Sequence, residues 1–78
     1  MATVFELRDF ETSNLLDAWE SEQEALQDVL EMIDTEGHDV IETLALLRDD
    51  ENRPAKILVA KGANLAAYAA KARLKMPT

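Results

Sequence analysis

The sequence predicts an α+β fold: a four-stranded antiparallel sheet made of two ββ hairpins, with two helices on one face, in the order β-β-α-β-β-α. Three observations carry this reading. Ser21 to Gly37 reads SEQEALQDVLEMIDTEG, an apolar stripe at helical spacing between a start signal and a stop signal. Two pairs of short apolar runs, each pair divided by a polar turn, lie on either side of that helix. The chain then closes on an alanine-rich segment with its own helical stripe.

The first strand is Thr3 to Arg8, where Phe5 and Leu7 alternate with Glu6 and Arg8. Asp9 to Asn14 is a turn, and Asn14 is the residue expected to tolerate a left-handed backbone. Leu15 to Trp19 is the second strand. Its apolar residues Leu15, Leu16, Ala18 and Trp19 fall on both parities, so either both faces are covered or a bulge intervenes.

The first helix is placed at 22–36. Ser21 with Glu24 three residues on makes a capping box, and Glu22 and Glu24 set negative charge at the positive end of the helix dipole. Ala25, Leu26, Val29, Leu30 and Ile33 form the stripe, with Met32 at its margin and Glu22, Asp28, Glu31 and Glu36 mainly opposite. Gly37 suits a left-handed closing residue.

His38 and Asp39 lead through Val40-Ile41 into a third strand, Thr43 to Arg48, apolar enough to be central. Asp49 to Pro54 is a polar turn and Lys56 to Ala60 the fourth strand, broken by Lys61-Gly62. Asn64 or Gly62 caps the final helix, 63–74, with Leu65, Ala69, Ala72 and Met76 on one stripe and Tyr68 beside it. Met76-Pro77-Thr78 is expected to fray. Leu7-Arg8-Asp9-x-Glu11 recurs as Leu47-Arg48-Asp49-x-Glu51, so the single domain, 1–78, reads as two ββα units, 3–36 and 43–74. Sequence leaves the strand order open.

Charge is unevenly spread. All 16 acidic residues lie between Glu6 and Glu51, and residues 52–78 hold only bases: Arg53, Lys56, Lys61, Lys71, Arg73 and Lys75. The first 51 residues therefore carry a formal −14 and the rest +6, within a net −8. Such asymmetry marks an interaction surface or an internal pairing of the two halves. There is no cysteine, which excludes disulfides, thiol catalysis and thiolate metal sites. With no signal peptide or apolar span in the sequence, the expected location is cytoplasmic and no membrane contact is expected.

Chemistry-bearing patterns are few. His38, beside Asp39, is the only histidine; with no serine, threonine or second histidine spaced to complete a site it reads as a loop residue rather than a general base. Asp49-Asp50-Glu51 offers carboxylates to a cation but lacks the EF-hand spacing, and reads as a solvated turn. There is no glycine-rich phosphate loop and no nucleophile motif, so no catalytic residue, metal ligand or cofactor is expected and the chain reads as a non-enzyme. Trp19 reads as core and Phe10, at the turn, as an exposed contact residue.

At VFELRDFETSNLLDAWESEQEALQDVL and TLALLRDDENRPAKILVAKGANL the chain resembles small uncharacterised bacterial ββαββα domain proteins with the pattern ETGN-L…TEEEAL…LAL. The likeness covers about residues 4–66, and Ser13 stands where that pattern has glycine. It implies no activity, cofactor or catalytic residue.

The function expected is a small acidic interaction or regulatory module acting through charge-complementary surfaces on a basic protein or on a second copy. The candidate contact residues are Phe10, Glu20, Glu24, Asp28, Glu31, Lys71, Arg73 and Lys75. Two alternatives stand beside it. One is a nucleic-acid-associated protein using the basic C-terminal helix, opposed by the acidic half. The other is an accessory subunit of a larger assembly.

Overall fold

A computed structural model describes residues 3–75. Strands β1 (Thr3–Asp9) and β2 (Leu15–Trp19) form the first hairpin and α1 (Glu22–Glu36) follows. A short 3₁₀ turn (His38–Ile41) leads to β3 (Leu44–Asp50), β4 (Ile57–Lys61) and α2 (Ala63–Lys75). The four strands form one antiparallel sheet in the order β2-β1-β3-β4. The hairpins therefore meet through their first strands. β1 and β3 pair over their full lengths, Thr3 with Asp50 through Asp9 with Leu44. These two strands carry Phe5, Leu7, Leu44 and Leu46, the sheet's largest buried side chains, and central positions are the ones both helices can cover.

One core joins the layers. Phe5, Leu7, Leu44, Leu46 and Ala60 of the sheet meet Ala25, Leu26, Val29 and Leu30 of α1, Ile41 of the 3₁₀ turn, and Leu65 and Ala69 of α2. Both helices thus lie on one face, and the fold is a two-layer slab of 34 × 33 × 17 Å. The stripe read from sequence in α1 is the stripe that is buried. In α2, Leu65 and Ala69 are fully covered, so the alanine-rich helix packs inward on α1 and β4. Met76 lies outside the described residues.

The helix ends follow their local chemistry. Ser21 Oγ accepts the Glu24 amide at 3.1 Å. The Gly37 amide donates to the Ile33 carbonyl at 2.8 Å, at a φ of 90° that favours glycine. Of the two residues expected to open α2, Gly62 does so: its carbonyl accepts from Leu65 and Ala66 at a φ of 56°.

Several expectations shift. The left-handed residue of the first turn is Ser13, at φ 64°, rather than Asn14. Asp9 dictates this: its Oδ1 accepts the Glu11 amide at 2.9 Å and its carbonyl the Ser13 amide at 2.7 Å, so the chain reverses one residue earlier. Asp49 and Asp50 belong to β3 rather than to a turn, because Val4 and Thr3 extend the ladder to them. β4 runs one residue later than expected, to Lys61. The doubtful alternation of the second strand resolves as a bulge: Leu16 is the extra residue opposite Leu7 and Arg8. Val59 is its counterpart in β4. The repeated Leu-Arg-Asp does not share a face, since Leu7 pairs with Leu46 toward the helices and Leu47 points to the other side.

Candidate functional site

The bulge in β2 opens a recess against α1. It turns Leu16 toward the helix layer, over Leu7 and beside Met32 of α1. Trp19, at the end of the same strand, is half-buried against the core, and its indole N–H donates to Asp28 Oδ2 at 2.6 Å. That bond fixes the ring against α1. Between β2 and α1 remains a groove of about 340 Å³. Leu7, Leu16, Trp19 and Met32 form its floor, and Asp17, Asp28, Glu31, Thr35 and Glu36 its walls. No lysine, arginine or histidine lines it.

Four carboxylates around an apolar floor make a site for an apolar side chain or the aliphatic stem of a cationic one. Leu16 is 50 % exposed, so the floor is open to a partner without rearrangement. Glu24, Asp28 and Glu31 follow one another at helical spacing along α1, and exposed Glu20 precedes the helix, so the expected acidic row runs into the groove. Asp28 differs from a freely solvated carboxylate because Trp19 holds it. Glu22, expected on the wet side, accepts the Tyr68 hydroxyl at 2.8 Å, which links α1 to α2 and raises the Tyr68 phenol pKa above its usual value.

The other expected contact residues lie elsewhere. Phe10 is exposed on the far side of the sheet, with Lys61 Nζ 5.3 Å above its ring. Arg73 donates to Asp34 Oδ2 at 3.1 Å, a second link between the helices. Lys71 is exposed on α2, and Lys75 is the last residue of that helix. Leu16, Trp19 and Met32 are groove residues that the charge pattern did not mark. The broken alternation of LLDAW was the available signal, since a bulge puts one more apolar residue on a face than the period allows.

Two further carboxylates, Glu6 and Asp50, are engaged in the fold. Lys56 and Arg8 hold the Glu6 carboxyl below its usual pKa, with Lys56 Nζ at 2.8 Å and Arg8 Nε at 3.0 Å. Asp50 is likewise lowered, by the Thr3 hydroxyl at 2.8 Å and by Arg48 and Arg53. Its carboxylate is thus committed to cations of the chain itself. His38 is exposed in the 3₁₀ turn. Among the described residues no three histidine, aspartate or glutamate side chains converge as a metal site, and no helix is long and apolar enough to cross a membrane.

Comparison with family models, with curated proteins and with solved structures finds no match to this chain.

Proposed function

We propose that this chain is a small non-enzymatic interaction module, and that its groove between β2 and α1 receives an apolar residue flanked by lysine or arginine on a partner protein. One observation carries the reading: the groove has an open apolar floor, four carboxylates in its walls and no cation. Burial of the anchor supplies affinity, and the acidic walls select its basic neighbours and steer the encounter.

Trp19 is the only tryptophan and lies in the groove floor, so its emission reports occupancy. Titration with a synthetic peptide alternating leucine and lysine is expected to shift the emission to shorter wavelength. The shift should weaken in salt of about 0.5 M, where screening acts within a few ångströms. Leu16→Asp is expected to abolish the response although it makes the protein more acidic, which separates groove binding from bulk attraction. An unchanged emission, or an equal response from Leu16→Asp, overturns the proposal.

A further inference from the structure

No helix covers the sheet face turned away from α1 and α2; its centre is sheltered by its own side chains, with Ala45 3 % exposed, and its margins are open. Cross-strand partners place Glu6 and Arg8 of β1, Ala45 and Leu47 of β3, and Leu58 and Lys61 of β4 on it. Leu15 joins them opposite Arg8, and Phe10 extends the row of β1. Leu15, Leu58 and Phe10 are 51 %, 49 % and 44 % exposed, three of the five large apolar side chains that are most open to solvent.

Both lateral edges of the sheet are blunted. Each edge strand is only five residues long and carries a bulge, at Leu16 and at Val59. On β2 the Ala18 amide is taken at 2.8 Å by the carboxylate of its neighbour Asp17. Edge-to-edge growth is therefore disfavoured, and outside the groove the most exposed large apolar side chains, Leu15, Leu58 and Phe10, lie on the face itself.

We infer that this open face is a self-association surface, occupied by the same face of a second copy. Charge selects that occupant. The ionisable groups reaching over the face are Glu6 and Asp49 against Arg8, Lys56 and Lys61, so it carries a slight positive balance on a chain of net −8. It is the surface on which two such chains meet without opposing their carboxylate rows, which stay outward on the helix layer. A two-fold axis crossing the strands between Glu6 and Arg8 lays the exposed Leu15, Leu58 and Phe10 of each copy on the face of the other, while Glu6 keeps its own Arg8 and Lys56. An isologous contact of this kind is self-complementary by symmetry. The broad side of the slab measures 34 × 33 Å, enough to supply the roughly 800 Å² per partner of a standard interface. The pairing is independent of the groove, and it leaves two acidic grooves on the outside of one particle.

Native mass spectrometry and sedimentation over a concentration series test this. The expected result is a doubling of the 8.7 kDa mass as concentration rises. Leu15→Glu with Leu58→Glu is expected to return the single mass with the fold kept, since both side chains are half-exposed in the lone chain. Phe10→Glu, at the end of the same face and 44 % exposed, is expected to weaken the association independently. Two results overturn the inference: a single mass at every concentration, or a dimer that survives the leucine and Phe10 substitutions. A dimer lost on Leu16→Asp instead would assign association to the groove. If the leucine variant unfolds, the Phe10 variant decides.

Discussion

Ser13 shows how one residue sets a turn at odds with its own preference. Its backbone lies at φ 64°, where a side chain costs on the order of 1 kcal/mol relative to glycine. The turn holds it there through Asp9, and through Arg8 Nη1, which donates to the Ser13 carbonyl at 3.0 Å. Glycine removes the steric cost but adds freedom to the unfolded chain, an opposing effect of about 0.4–1 kcal/mol. Ser13→Gly is therefore expected to stabilise by about 0.5 kcal/mol, read as a rise of a few degrees in a thermal melt. A fall would mean that the serine hydroxyl supports the turn. This position was not legible in the sequence: side-chain preference pointed to Asn14, and the Asp9 bonds that advance the turn by one residue leave no mark on propensity.

At the scale of elements, the two helices bury their faces differently. α1 presents Leu26, Val29 and Leu30, and its stripe was plain in the sequence. α2 presents Leu65 and Ala69, and small side chains mark close approach without naming the neighbour. That neighbour is α1 and β4, with Tyr68–Glu22 and Arg73–Asp34 bonds fastening the helices together. Ala69 has no room to grow. Ala69→Leu is expected to destabilise by about 1–3 kcal/mol through overpacking, measured by urea unfolding followed at Trp19. The exposed Ala70→Leu is expected to stay within about 0.5 kcal/mol of the parent. Equal effects at the two positions would contradict inward packing of α2.

The whole molecule couples its two charge segments within one fold. Lys56 and Arg73, from the basic segment, bond Glu6 and Asp34, from the acidic one. Glu6 and Asp50 both titrate below the usual range in the folded protein, so the folded state binds fewer protons than the unfolded chain in that interval. Their contribution is therefore present above the unfolded carboxyl pKa of about 4 and is lost as pH falls through the lowered folded values. Glu6→Gln should lower stability by up to ~1 kcal/mol at neutral pH, the scale of a favourable surface pair. The difference from the parent should close as pH falls through the lowered folded value, once the carboxyl is protonated in both states. Denaturant midpoints across pH measure it, and comparison with the parent cancels the general effect of net charge. A difference that persists at acid pH would assign the effect to packing.

The amino-acid sequence by itself determined the element order, the capped α1, both hairpins and the charge segregation, because these rest on periodicity, capping residues and turn chemistry within a few residues of one another. It also carried the acidic row of α1 and the exposure of Phe10. Tertiary structure alone fixed the strand order, the facing of Leu7 and Leu47 on opposite sides, and the groove under Leu16. Each of these depends on which residues meet across the sheet. A shift of one position, as at the bulge of β2, sends a side chain to the other face, and no local signal records the partner strand that settles the register.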